Sequence, residues 1–78
     1  MTVTLRFRNS DSRPWRVLRY RLIWPQGSVT ANPSDLVVPA GGWRERIIRV
    51  DYRHGGIRAL LDHPGRARVE ILETRAVP

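Results

Sequence analysis

The residues with the clearest chemical potential in this sequence are its arginines. All 14 basic residues are arginine, and they outnumber the 7 acidic ones to give a formal net charge of +7 over 78 residues. Residues 1–25 hold six arginines against a single acid, Asp11, and so carry most of this excess. The planar guanidinium group binds phosphate or carboxylate through paired hydrogen bonds. The charge distribution therefore predicts an anionic partner for the first third of the chain.

Four arginines on two neighbouring strand-like segments are the candidate anion contacts. Arg6 and Arg8 alternate with apolar residues on the first segment, and Arg19 and Arg21 do so on the second. If the two strands pair as a hairpin, all four lie on one face, and neither strand supplies an acid to neutralise them. Like charges across a sheet are destabilising, so such a face predicts a polyanionic partner.

Nucleic acid is the commonest partner for a basic face of this kind. An acidic protein is the alternative partner. A third interpretation needs no partner. A chain without lysine is typical of a GC-rich coding sequence, which places arginine at any solvated basic position. Charge on a solvated face also discourages aggregation.

The tryptophans add a second kind of chemistry. Trp15 and Trp43 each begin a strand-like segment beside a loop, which predicts partly exposed rings. Such rings either complete the core or its rim, or stack on bases. Trp24 shares the phase of Tyr20 and Leu22, which predicts a core position. The candidate binding residues are therefore the following six: Arg6, Arg8, Arg19, Arg21, Trp15 and Trp43.

No residue pattern favours catalysis, a metal or a cofactor. The chain has no cysteine, which excludes disulfides and cysteine-based zinc sites. His54 and His63 lie in loop-like segments, and no serine sits in a nucleophile-elbow pattern. Glu70 and Glu73 are an odd number of residues apart, so on a strand they would face opposite ways and not act as a carboxylate pair. We expect a protein that is not an enzyme and binds no cofactor or metal.

These residues must be positioned by strands, because the dominant hydrophobic period is two. The segment from Val3 to Phe7 alternates strictly, with its apolar residues inward. Trp15–Trp24 predicts a second strand with a bulge near Val17, because the residues before the bulge are out of phase with those after it. The face predicted to turn inward on this second strand comprises Leu18, Tyr20, Leu22 and Trp24.

Shorter strands and turns follow. Strands are expected at Ser28–Ala31, Leu36–Val38 and Trp43–Tyr52. The residues favoured for the core of the last of these are Ile48, Val50 and Tyr52.

The last third of the chain is less clear. Ile57–Leu61 is predicted to form a hairpin with Ala67–Leu72 across a type II turn at Asp62–Gly65, and a single helical turn is the alternative for residues 57–61. The tail at 74–78 is expected to fray.

These elements predict one small all-β domain over residues 1–78, with six to seven short antiparallel strands in a sandwich. A small barrel of the OB or SH3-like type is the alternative. No apolar run approaches the roughly 20 residues that span a bilayer. The N-terminal residues lack the pattern of a secretory signal, so a cytoplasmic protein is expected if Met1 is the natural start.

Two segments resemble small bacterial immunoglobulin-like or fibronectin-type-III-like domains. Leu18–Pro25 reads as an early strand with an aromatic core residue, and Leu36–Gly42 ends in a valine-proline-small-glycine corner before the next strand. The resemblance concerns architecture, and the paired cysteines of antibody domains are missing. It implies a binding or spacer module and transfers no functional residue.

The sequence therefore predicts a non-catalytic binding module with an arginine-rich face for a polyanion such as nucleic acid. The alternative is a structural module for protein–protein interaction in a larger assembly. Self-association through an exposed edge strand is a further expectation, because unpaired strand edges invite sheet extension between chains.

Overall fold

The computed structural model describes residues 2–50 and 57–78, and these form a mostly β fold with antiparallel sheets, which confirms the predicted fold class. The elements in chain order are β1 (Thr2–Arg8), β2 (Trp15–Trp24), β3 (Gly27–Ala31), β4 (Val37–Val38), β5 (Trp43–Arg49), α1 (Ile57–Asp62), a short 3-10 helix (Pro64–Arg66) and β6 (Arg68–Ala76).

Two sheets share these strands. Strand β1 pairs with β5 in a two-stranded sheet, with Thr2 opposite Arg49 and Arg8 opposite Trp43. Strand β2 is the centre of the other sheet. Apart from Trp24, the residues of β2 that pair with β3 or β4 also pair with β6, so β6 lies along the opposite edge of β2.

The core forms from the inward faces of both sheets. Alternation along β1 buries Leu5 and Phe7, as the sequence predicts, and Phe7 meets Tyr20 of β2 edge-on with ring centroids 5.0 Å apart. Trp24 is only 3% exposed, which confirms its predicted core position. The buried residues are Leu5, Phe7, Val17, Tyr20, Leu22, Trp24, Leu36, Val38, Val50 and Leu60.

The predicted bulge in β2 is confirmed, and it decides which residue enters the core. The register with β6 shifts between Val17 and Arg19 and again between Arg19 and Tyr20. The extra residue lets Val17 and Tyr20 both point inward, so Val17 is buried and Leu18 is only half-buried. The prediction that Leu18 shares the core face is therefore wrong.

Strand β5 ends earlier than expected, at Arg49. Val50 is fully buried and Ile48 packs against the core, as predicted, whereas Ile47 on the other face is 68% exposed. Tyr52 lies outside the described residues.

The predicted hairpin of Ile57–Leu61 with Ala67–Leu72 is wrong. Residues 57–62 form helix α1, because Ile57 and Leu60 are one helical turn apart and pack on the core together while Leu61 stays exposed. The 3-10 helix at Pro64–Arg66 replaces the expected type II turn.

The C-terminal residues are also more ordered than expected. Strand β6 begins at Arg68 and pairs with β2 as far as Ala76. The N–H of Val77 then donates a hydrogen bond to the carbonyl of Pro14 at 3.2 Å. The prediction of a frayed tail from Thr74 is therefore wrong for residues 74–77.

Candidate anion-binding site

The candidate arginines lie on two different surfaces. Because β1 pairs with β5 and β2 pairs with β6, the hairpin of β1 with β2 assumed from the sequence is wrong. Arg6 and Arg8 face outward from the β1–β5 sheet. Arg19 and Arg21 face outward from the sheet centred on β2. The four side chains therefore do not converge.

The loop between β1 and β2 explains why no hairpin forms. The Asn9 side-chain amide donates to the carbonyls of Arg13 and Val38, at 2.8 and 3.2 Å, and the N–H of Asn9 donates to Gly42. These bonds hold the end of β1 beside the β4–β5 corner. The chain is thus carried from one sheet into the other instead of turning back on itself.

The acids that neutralise these arginines come from strands distant in sequence. Arg6 contacts Glu45 of β5 at 2.9 Å, and Arg19 lies 3.7 Å from Glu73 of β6. Arg21 is opposite Glu70 in the register with β6. The sequence predicts a face without acids, and this prediction is wrong at Arg6, Arg19 and Arg21.

The outer face of the β1–β5 sheet, called here the tryptophan face, combines an exposed ring with arginines. Trp43 is 51% exposed, and the guanidinium of Arg6 lies 4.6 Å from its ring centroid. Arg8 is opposite Trp43 in the strand register and forms no ion pair with the part of the chain that the structure describes. By strand alternation the face consists of Thr2, Thr4, Arg6, Arg8, Trp43, Glu45, Ile47 and Arg49.

Two hollows meet at the end of β1. A cleft of about 320 Å³ runs between β1 and β6 and includes Trp15 in its lining, and a shallower hollow of about 290 Å³ lies beside Trp43. Arg8 and Asn9 line both of them. The predicted residues Arg6, Arg8, Trp15 and Trp43 are thus brought to one end of the molecule, whereas Arg19 and Arg21 are not.

Trp15 is held in place by an acid. Its indole N–H donates to Asp11 Oδ2 at 2.9 Å, and the backbone N–H of Ser12 donates to Asp11 Oδ1 at 2.6 Å. The hydrogen bond from Trp15, followed by that from Ser12, lowers the pKa of Asp11 below its ordinary value of 3.8. This hydrogen bond holds the Trp15 ring where it lines the cleft.

Sequence reasoning missed three residues of this region. Ile47 and Arg49 share the exposed face of β5 with Trp43, and Glu45 lies between Trp43 and Ile47 on that face. The alternation along β5 places Ile47 and Arg49 together, but nothing local identifies β1 as the partner strand. Only that pairing brings them beside Arg6 and Arg8.

The opposite surface, the outer face of β2 and β6, is called here the mixed-charge face. It pairs Arg19 and Arg21 of β2 with glutamates of β6, and it also places Arg16 directly opposite Arg75. Its charged residues are Arg16, Arg19, Arg21, Arg68, Glu70, Glu73 and Arg75. The register shift beside Arg19 brings Glu70 and Glu73 to the same face, so the expectation that they face opposite ways is wrong.

Comparison with known proteins gives no relative: no family model, curated protein or solved structure matches this chain. Within residues 2–50 and 57–78, no group of three or more histidine or acidic side chains is placed to hold a metal ion. No helix in the same residues has the length and apolar character needed to cross a membrane.

Proposed function

We propose that this chain is a non-catalytic module that binds a single-stranded polyanion, with nucleic acid as the leading ligand, through the tryptophan face. One observation carries the proposal. Trp43 exposes half of its surface beside two arginines, one stacked on its ring and one that forms no ion pair with any described residue. An aromatic platform beside cationic groups is the chemistry by which single-stranded nucleic acids are bound without sequence readout.

Each residue has a distinct part in this proposal. Trp43 offers its free ring surface to a base, at an expected benefit of about 1–3 kcal/mol per stacked base. Arg8 is free to contact a phosphate with both of its terminal nitrogens. Arg6 is held by Glu45 and orients the Trp43 ring, so it contributes less directly.

The face also has the length that such a ligand requires. Strand β1 covers seven residues, about 20 Å at roughly 3.3 Å per residue. Arg8 lies at one end of the face and Arg49 at the other, opposite Thr2. The backbone of a nucleic acid lying along β1 would therefore meet Arg8 and Trp43 at one end of the face and Arg49 at the other.

We further propose that the two sheets form a sandwich of the immunoglobulin-like or fibronectin-type-III-like kind, and not a closed barrel. Barrel closure would require a ladder between β1 and β6. What supports the sandwich is that, among residues 2–50 and 57–78, β1 pairs with β5 alone and β6 with β2 alone. Scalar couplings across hydrogen bonds, measured by NMR, test this, since couplings between β1 and β6 would show a barrel.

The test of nucleic-acid binding is a titration of a fluorescently labelled oligothymidine of about 12 nucleotides, followed by anisotropy. We expect binding that weakens steeply between about 50 and 200 mM salt. Arg8→Ala should weaken binding and reduce the slope of log K against log salt by about one.

The matched control is Arg58→Ala, which removes the same charge from the exposed side of helix α1, away from the tryptophan face. Equal losses in the two variants would mean that net charge alone drives binding, and the assignment to the tryptophan face would be wrong. Absence of salt-sensitive binding to the oligonucleotide by the wild-type chain would overturn the proposed function itself.

A further inference from the structure

The cleft between β1 and β6 exposes the main chain of β1. Four consecutive residues, 6 to 9, line the cleft. Side chains on a strand point alternately to its two faces, so consecutive residues can all border one cleft only along the strand's edge. In the part of the chain that the structure describes, β1 has its single ladder with β5, on the other edge.

The hydrogen-bonding direction of each residue on this edge follows from one bond. Asn9 donates its backbone N–H to Gly42, towards β5, at 3.0 Å. Because backbone groups alternate along a strand, Phe7 also directs its N–H and C=O towards β5. Arg6 and Arg8 therefore direct theirs away from β5, into the cleft. These two residues present a short row of donors and acceptors ready to pair with another strand.

The inner surface of the cleft is apolar. Phe7 and Val17 are buried at its base, and Ile71 on the β6 side is 45% exposed. The volume of about 320 Å³ is roughly twice the ~150 Å³ that accommodates a benzene molecule in a protein core. The cleft therefore has room for apolar side chains supplied by another segment.

We propose that the β1 edge binds an extended, acidic segment of a partner protein, which adds a strand beside β1. Alternate residues of that segment would point inward over Phe7 and Ile71 and must be apolar. The residues between them would lie beside the outward side chains of Arg6 and Arg8 and should be Asp or Glu, since opposite charges on neighbouring strands attract.

Charge complementarity selects this occupant. Among residues 2–50 and 57–78, the cleft lining contains two arginines and no acid, and the chain as a whole has a net charge of +7. A second copy of this chain paired through β1 would place its own Arg6 and Arg8 on the same four-stranded face, where like charges repel. A segment of alternating acidic and apolar residues meets both the electrostatic and the packing requirement.

The test uses a capped synthetic peptide of about eight residues in which Glu alternates with Val, a length typical of strands. Its control has the same composition with all Glu residues in one half. Titration into isotopically labelled protein is followed by NMR. We expect the amide protons of Arg6 and Arg8 to shift and to gain protection from hydrogen exchange, while those of Phe7 and Asn9, already bonded to β5, change little.

Variants separate the main chain from the side chain. Arg8→Pro removes the N–H on the open edge, where a strand tolerates proline, and Arg8→Ala removes the charge but keeps the N–H. We expect Arg8→Pro to weaken peptide binding at least fivefold more than Arg8→Ala. Ile71→Ser, on a half-exposed residue, should also weaken peptide binding, and it keeps the test valid if Arg8→Pro fails to fold.

The readouts distinguish this site from the tryptophan face. Trp43→Ala should spare peptide binding, and Ile71→Ser should spare oligonucleotide binding. Equal affinity for the alternating and grouped peptides, or equal effects of Arg8→Pro and Arg8→Ala in folded variants, would overturn the proposal. A concentration-dependent dimer in which the amides of Arg6 and Arg8 gain the same protection from hydrogen exchange would also overturn the proposal, because the β1 edge would then bind a second copy of the chain.

Discussion

The two outer faces of this molecule use the same amino acid in different surroundings. On the mixed-charge face, arginines alternate with glutamates across β2 and β6, so that Arg19 lies near Glu73 and Arg21 lies opposite Glu70. On the tryptophan face, Arg6 contacts Glu45, while Arg8 is opposite an exposed aromatic ring. The first face gives Arg19 and Arg21 acidic neighbours across the sheet, whereas the second leaves the Arg8 cation and an aromatic surface open to a ligand.

This difference shows that whether an arginine is available to a ligand depends more on its neighbours across the sheet than on how many arginines lie near it in sequence. Residues 1–25 contain both pairs, Arg6 with Arg8 and Arg19 with Arg21, in the same alternating pattern. What separates them is the strand on the other side: β5 brings Trp43, and β6 brings glutamates. Three pairs of variants and one pH titration test the contrast.

The largest expected effect is the loss of the aromatic platform. Trp43→Ala should weaken oligonucleotide binding by about 1–3 kcal/mol, roughly fivefold to 150-fold in Kd, because a stacked base loses its partner. Ile23→Ala, a half-exposed apolar residue of β2, should change Kd little. Anisotropy titrations measure both, and a similar loss in the two variants would remove the distinction between the faces.

A smaller effect is expected from neutralising one acid on each face. Glu45→Gln releases Arg6 from its ion pair and should strengthen oligonucleotide binding by about 0.5–1 kcal/mol, the scale of an exposed salt bridge. Glu73→Gln makes the same change beside Arg19 and should leave Kd nearly constant. Stronger binding in Glu73→Gln than in Glu45→Gln would transfer the candidate site to the mixed-charge face.

Folding stability gives the next contrast. Arg16 is directly opposite Arg75, so Arg75→Glu should replace a repulsion with an attraction and raise the free energy of unfolding by about 0.2–1 kcal/mol. Arg6→Glu does the reverse, since it places two carboxylates opposite each other, and should lower stability by a similar amount. Urea unfolding, with Arg58→Glu as the control for net charge, checks both signs.

The smallest effect concerns Trp15, which borders the cleft separating the two faces. The indole N–H of Trp15 lowers the pKa of Asp11 in the folded protein. The hydrogen bond is therefore present when the pH is above 3.8, the ordinary pKa of an aspartate, and is lost as the pH falls through the lowered pKa. We expect the Trp15 indole proton resonance to move upfield in a transition whose midpoint lies below pH 3.8. In Asp11→Asn this transition should be absent, and a transition retained there would assign the titration to another group.

Much of this fold follows from local pattern. Alternation in β1, the bulge near Val17 and the core position of Trp24 are all encoded by neighbours in sequence, and each is confirmed. Residues 57–61 fit two local patterns. On a strand, Ile57, Ala59 and Leu61 share one face, and on a helical turn Ile57, Leu60 and Leu61 do so. The choice between them depends on packing of Leu60 against the core, which the local pattern does not contain.

The candidate site is harder to predict, because it depends on which strands are neighbours. The sequence names Arg6, Arg8, Trp15 and Trp43 as candidate binding residues, and the structure places these four at one end of the molecule. It groups Arg19 and Arg21 with them by assuming that consecutive strands pair, which is the commonest arrangement. The hydrogen bonds of Asn9 across the β4–β5 corner overrule that preference, and they join residues almost thirty positions apart.

The pairing of β1 with β5 also sets the order of events in folding. Strand β1 begins at residue 2, and the strand that completes its ladder ends at residue 49. Closing so long a segment before any of its contacts form is entropically costly, so we expect this sheet to form late and slowly. During synthesis on the ribosome, β1 must wait unpaired until β5 has left the exit tunnel, whereas β2 and β3 can associate as soon as their short turn has emerged.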